Sequence, residues 1–327
     1  MKRHKKPTVF LLIVSLIFLS ACGTDSHAKQ KTTLKIGYLP ITHAAPVYFE
    51  KEMTKEYLGN VELELVKFGT WIDLMDALNT GRIDGASVLI ELAMKSREKG
   101  IDLKAVALGH KDGNAAIVSP EVDQVEDLAG TSVAIPHTLS SHNILMARML
   151  EQGGMSYDDV HMVEMPPPEM PSALATGQIS SYVVAEPFGA LGVTLDQGKV
   201  LYQSEDLWPG SLCCALVLRN ELVQNHPELS QQFVNGYIAT GKKAGKVHDH
   251  THFVHKKYLD VNEETLELSL EWISYDDLRI RKEDYAILRE SLIDMGLSDD
   301  PPSYEEFVSN SLIDEAIDSY EKQSDTP

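Results

Sequence analysis

From residue 34 onward, short apolar runs of β character alternate with segments of helical spacing, and the alternation comes twice. Residues 34–38, 61–68 and 83–88 predict strands. A segment from Ala45, then 71–78 and 89–98, predict helices, and 103–108 follows as a further strand. Past the acidic, turn-rich residues 119–130, a second series begins: strands over 131–135, 160–165 and 181–185, with helices over 141–152 and 171–176. Strands interleaved with helices are the mark of parallel sheets covered by helices, so the chain is predicted to be α/β. Two such series, in a body too long for one core, predict two lobes with a cleft between them. After about residue 215 the pattern turns helical, over 221–233, 236–246, 264–272, 285–295 and 304–317, and these helices are expected to return over the first lobe. The expected division is residues 34–119 with 215–327 for lobe 1, and 120–214 for lobe 2.

The segment before residue 34 bears on where this body resides. Lys2, Arg3, Lys5 and Lys6 make a basic start, and residues 9–19 are apolar apart from Ser15. Such a run falls short of the ~20 residues needed to span a bilayer and has the build of an export signal. Leu19-Ser20-Ala21-Cys22 resembles the lipobox of bacterial lipoproteins, which implies cleavage after residue 21 and a lipid on Cys22. Residues 22–33, polar and aperiodic, are expected to be a flexible tether.

Loss of residues 1–21 would remove four basic residues and no acidic one, moving the formal charge from −20 to −24. A surface this acidic repels nucleic acid and anionic lipid headgroups, so the lipid rather than charge is expected to hold the protein at the membrane. Of the 3 cysteines, Cys22 is assigned to lipid, leaving the adjacent Cys213 and Cys214. Two neighbouring thiols make no disulfide framework, so stability must come from a core.

The most specific stretch is Ile135-Pro136-His137-Thr138-Leu139-Ser140-Ser141-His142-Asn143, between a predicted strand and a predicted helix. A helix start displays unpaired N–H groups and partial positive charge, which suits an anion, and His142 would stand in the first turn. Alternatively Ser140 or Ser141 merely caps the helix and the histidines lie on the surface. The proline run 166–168 reads as a stiff loop.

Several motifs in order carry a resemblance. Gly37-Tyr38-Leu39-Pro40-Ile41-Thr42-His43-Ala44-Ala45-Pro46, Ile83-Asp84-Gly85-Ala86, Ser140-Ser141-His142-Asn143, Gly153-Gly154, Pro166-Pro167-Pro168-Glu169-Met170 and Val184-Ala185-Glu186-Pro187-Phe188 are collinear. Together they resemble the nitrate-, bicarbonate-, sulfonate-, taurine- and thiamine-precursor-binding lipoproteins of ABC importers. The resemblance covers roughly residues 34–225. It implies the type II periplasmic-binding-protein fold, two α/β lobes joined by two crossover segments and closing like a hinged clamp.

Thr42 and His43, in the loop after the first strand, and His137, Ser140 and Ser141, before the helix, are candidate ligand-binding residues, and His142 matches the family's anion-binding histidine. Trp71 matches a pocket tryptophan, although core packing explains a lone tryptophan equally well. Ala185 matches a small residue whose backbone approaches ligand. Glu186 either accepts from an amine-bearing ligand or caps the helix after it. Cys214 stands near the position where nitrate and bicarbonate binders place a lysine, and a neutral thiol cannot supply that charge. The implied function is capture of a small anionic organic solute, such as an aliphatic sulfonate, taurine or a heteroaromatic vitamin precursor, for delivery to a permease and its ATPase. A nitrate or bicarbonate receptor with an altered pocket is the neighbouring alternative.

Two other classes compete. The run His248-Asp249-His250-Thr251-His252-Phe253-Val254-His255 would align imidazoles on a strand or a helix, as in a histidine-rich metal-binding surface lipoprotein. Lys242, Lys243, Lys246, Lys256 and Lys257 surround it and disfavour a cation, so a solvated helical face is expected. Enzymes share the implied fold, yet the chain has no Cys-x-x-Cys pair, Gly-x-Ser-x-Gly elbow or P-loop. No catalytic residue, metal site or cofactor is expected, and the chain is expected to be a monomer.

Overall fold

The computed structural model describes residues 32–246 and 249–324. Its strands in chain order are β1 (Thr33–Tyr38), β2 (Glu62–Lys67), β3 (Gly85–Leu89), β4 (Leu103–Leu108), β5 (Lys111–Asp112), β6 (Asn114–Val118), β7 (Ser132–Ile135), β8 (His161–Glu164), β9 (Ser181–Ala185), β10 (Lys199–Gln203), β11 (Cys214–Arg219) and β12 (Ile273–Ser274). Ten of them build two five-stranded sheets, ordered β2-β1-β3-β11-β4 and β10-β6-β9-β7-β8, while β5 and β12 pair separately. Each sheet with its covering helices is a lobe. The expected leader, the expected tether up to residue 31 and Cys22 lie outside the described residues.

Within the first sheet β1 is parallel to β2 and β3, but β11 runs antiparallel to both β3 and β4. Within the second, β7 is parallel to β8 and β9, but β6 runs antiparallel to β9 and β10. Each contrary strand is the first one laid down after the chain changes sheets. Residues 109–113 lead from β4 into β6, and residues 204–213 lead from β10 back into β11. Two crossovers therefore join the lobes, the arrangement of a hinge. Asn114–Val118, ahead of residue 119, pairs with β9 and β10 in the second sheet.

The strands at the centre of each sheet are covered on both faces, which is why β3, β6 and β9 are buried at every position. Leu63, Val88 and Ile36 in the first lobe and Ile135, Val184 and Met149 in the second anchor this core. Each fully buried aliphatic side chain of this kind contributes roughly 1.5–3 kcal/mol. The helix Pro227–Ala244 packs on Ala45–Glu52 of the first lobe and on Asn310–Ser324, whereas the helix Glu263–Glu271 packs on Phe188–Thr194 of the second. Among the described residues, no helix is long and apolar enough to cross a membrane.

Candidate functional site at the lobe junction

The loop after β1 is fixed before it reaches the junction. Tyr48, buried in the helix Ala45–Glu52, donates its hydroxyl to the carbonyls of Leu39 and Ile41, both at 2.9 Å. Tyr275 donates to the carbonyl of Thr42 at 2.8 Å. Thr42 in turn donates its amide (2.9 Å) and its hydroxyl (3.0 Å) to the backbone carbonyl of Glu186, across the lobes. Thr42 is thus spent on joining the lobes.

His43, the next residue, is fully buried. Its Nε2 donates to the carbonyl of Gly113 at 2.9 Å, and its Nδ1 stands 3.7 Å from Cys213 Sγ. His110, on the first crossover, stacks on His43 with ring centroids 3.4 Å apart. His110 donates from Nδ1 to the carbonyl of Asp112 at 2.7 Å, and its Nε2 accepts from the amide of Cys214 at 3.4 Å. Cys213 Sγ lies 3.9 Å from Cys214 Sγ, 4.0 Å from His142 Nε2 and 3.7 Å from Asn114 Oδ1. Both cysteines are free thiols. The two histidines and two cysteines thus come together from three chain segments at the hinge.

Burial, reinforced by His110 beside it, depresses the His43 imidazole to about 4, so it is neutral. Burial opposes ionisation of Cys213, but the Cys214 thiol and the imidazoles of His142 and His43 outweigh it and leave Cys213 the more acidic thiol. Burial and the neighbouring Cys213 push Cys214 up. Glu91, at the start of the helix Ile90–Glu98, is wholly buried facing Cys213 and Ser141, and neither carboxylate oxygen finds a hydrogen-bond partner. Burial, then Cys213, raises its carboxyl far above the usual range.

The stretch 137–143 divides by role. Ser140 caps the helix Ser141–Gln152: its hydroxyl accepts from the Asn143 amide at 3.2 Å and donates to the His137 carbonyl at 2.6 Å. His137 accepts from the Leu139 amide at 2.9 Å, and Asn143 donates to the Thr138 carbonyl at 2.7 Å. His137 and Ser140 therefore hold the loop. Ser141 Oγ and His142 Nδ1 are buried without partners, and these two residues face the junction.

The remaining candidates separate. Trp71 begins the helix Trp71–Asn79, set by the Thr70 cap, and its buried indole N–H finds no acceptor. Ala185 ends β9 opposite Asn114. Glu186 takes the capping role: its Oε2 accepts from the Ala190 amide at 3.0 Å. Burial lifts that carboxyl to about 8, against the pull of the Ala190 N–H. Cys214 stands at the junction, but sequence reasoning missed Cys213, His110, Glu91 and Asn114 beside it. His110 and Cys213 lie 103 positions apart in the chain, and only their places at the ends of crossovers mark them.

Of the histidine run, the described side chains of His252 and His255 turn to different neighbours. His248 lies outside the described residues. His252 Nδ1 faces Glu263 at 3.4 Å, whereas His255 is buried, donating to the Ala244 carbonyl at 3.2 Å and packed edge-on against Phe49.

The NMT1-like family model matches residues 27–252. The chain belongs to the NMT1-like family. A ligand-binding component of an ABC-type import system from Staphylococcus aureus, solved with zinc bound, is 41% identical; the match covers 87% of this chain and 99% of that one, with a TM-score of 0.82. The nitrate import ATP-binding protein of Synechocystis is 28% identical over 233 residues, 64% of this chain and 34% of its own length. The taurine-binding periplasmic protein of Escherichia coli is 28% identical over 227 residues, 67% of this chain and 69% of its own. The chain spans about a third of the length of the curated relatives it matches first. The fold of this family member is that of the periplasmic binding proteins, as the two-crossover topology requires.

Proposed function

We propose that this chain is the extracytoplasmic solute-binding component of an ABC importer, held at the membrane by lipid on Cys22. It closes its lobes on a small organic solute bearing an anionic group and hands the closed form to a permease driven by its ATPase. It acts as a monomer and as a binder, not a catalyst. The observation that carries this reading is a cavity of about 300 Å³ lined from both sides, by Ile41, Lys67 and Phe68 of the first lobe and by Pro167, Pro168 and Phe188 of the second. Only a ligand that touches both lobes can bias a hinge toward closure. Aromatic and proline surfaces suit an apolar body, and Lys67 at the rim offers charge to an anionic group. Ser141 and His142, with their free polar atoms, Trp71 with its free indole N–H, and Ala185 are the further candidates for ligand contact.

Among the described residues no lysine or arginine is buried, so nitrate or bicarbonate sealed inside would lack a cationic partner. An organic solute that leaves its charged group near the cleft mouth avoids this penalty. For the alternative of a metal-binding histidine run, His252 and His255 face different neighbours and do not share one ion. The test is mass spectrometry of small molecules that co-purify with the protein, followed by calorimetry with each compound found and X-ray scattering with and without it. Binding accompanied by contraction is expected. A panel of sulfonates, taurine and pyrimidines that neither binds nor contracts the protein, together with no co-purifying solute, rejects the reading.

A further inference from the structure

We propose that His43, His110, Cys213 and Cys214 form a binding site for a zinc-class, thiophilic d¹⁰ cation at the hinge between the lobes. The four residues are buried, and one ligand atom from each lies within 4.8 Å of all the others. Their spacing suits a small tetrahedral ion. With metal–sulfur distances of about 2.3 Å and metal–nitrogen distances of about 2.0–2.1 Å, the tetrahedral edges are about 3.8 Å between sulfurs and about 3.6 Å between sulfur and nitrogen. Cys213 Sγ stands 3.9 Å from Cys214 Sγ and 3.7 Å from His43 Nδ1.

The outer partners of the imidazoles make a second, independent observation. A backbone carbonyl can only accept, so the nitrogens facing Gly113 and Asp112 carry the protons. The lone pairs lie on His43 Nδ1, which faces Cys213, and on His110 Nε2, which accepts a long hydrogen bond (3.4 Å) from the Cys214 amide that a bound ion would displace. Metal-ligating histidines are held and oriented in this way. Asp112 and Gly113, which supply the two carbonyls, both have left-handed backbone, φ 58° and 73°, so the first crossover is bent where those carbonyls turn to the rings.

No buried lysine or arginine among the described residues opposes a cation. Two sulfurs and two imidazoles in tetrahedral array select zinc or a similar soft ion over calcium or magnesium. Coordination displaces the thiol protons to solvent. The bound ion ties His43 of the first lobe to both crossovers, with His142 of the second lobe next to it. This site goes beyond the solute reading and stands without it.

The full chain, reduced and stripped of metal with a chelator, is titrated with Zn²⁺ by calorimetry and with Co²⁺ by absorption spectroscopy. The expected result is one ion per chain, a tetrahedral cobalt spectrum with a sulfur-to-cobalt charge-transfer band, and a higher Tm for the metal-bound form. Losing an outer partner of a metal ligand already weakens binding about 10–100-fold, so Cys213→Ser and His43→Gln should weaken Zn²⁺ by at least about 100-fold. Circular dichroism without metal reports whether each variant folds, and Cys214→Ser replaces any that does not. His252→Ala should bind as the parent does. Absence of stoichiometric binding by the parent, or an octahedral cobalt spectrum without charge transfer, overturns the proposal. So does loss of binding in His252→Ala with retention in Cys213→Ser, which places the ion at the group of His252, Glu263 and Glu267.

Discussion

The backbone carbonyl of Glu186 accepts two hydrogen bonds from Thr42, from its amide at 2.9 Å and from its hydroxyl at 3.0 Å, and so fastens one lobe to the other. Thr42→Val keeps the volume and the amide but removes the hydroxyl. A hydrogen bond of this kind is worth about 0.5–1.5 kcal/mol, so the closed population should fall roughly 2- to 12-fold relative to the open one. Fluorescence transfer between dyes on the two lobes reads that ratio. An unchanged ratio means that the hydroxyl does not hold the closed form.

Glu186 also carries a pH dependence whose sign follows from its burial. Its carboxyl is raised from 4.5 to about 8, so the folded protein keeps it neutral while the unfolded chain ionises. Its stabilising contribution is full below about pH 4.5 and is lost as pH rises toward about 8, by up to ~1.4 kcal/mol per pH unit. Glu186→Gln can still accept from the Ala190 amide but does not titrate. The stability of the variant minus that of the parent should therefore rise between pH 5 and pH 8. Urea midpoints at the two pH values give this difference directly, and a flat one removes Glu186 as the titrating group.

Much of the fold was legible because its periods are local. The capped helix Ser141–Gln152 and the strand Ser181–Ala185 coincide with the spans their patterns predict. The contrary strands β6 and β11 were not legible, because Ala115 to Val118 and Cys214 to Leu218 are buried on both faces and show no alternation. The break expected between residues 233 and 236 is absent. The helix Pro227–Ala244 runs through it because Gly236 is there for close packing: a Cβ would stand 2.4 Å from Glu50 Oε1. The site was half legible. Ser141 and His142 could be read from a strand–loop–helix motif, but the pairing of His110 with Cys213 and Cys214 arises only where two distant crossovers meet.

That meeting depends on Gly109. Its amide donates to the Cys214 carbonyl at 2.7 Å, and an added Cβ would stand 2.6 Å from the His43 carbonyl oxygen and 3.3 Å from that of Cys214. Both obstacles are backbone, so the crossovers must part to admit a methyl group. Gly109→Ala should destabilise the fold by about 1–3 kcal/mol, as overpacking of a close contact does. Denaturant unfolding measures the loss, and a variant as stable as the parent shows that the crossovers are not in tight contact.

His255 gives the opposite pH sign from Glu186. Burial depresses its imidazole from 6.5 to about 4, so the folded protein holds it neutral where the unfolded chain takes up a proton. Its contribution is complete above about pH 6.5 and is lost as pH falls toward about 4, by up to ~1.4 kcal/mol per unit. His255→Gln retains a donor for the Ala244 carbonyl and removes the titration. The variant should lose less stability than the parent between pH 6.5 and pH 5, while His43, depressed in the same way, keeps part of the acid sensitivity in both. Equal losses measured by urea unfolding at the two pH values would show that His255 becomes protonated without leaving its place against Phe49.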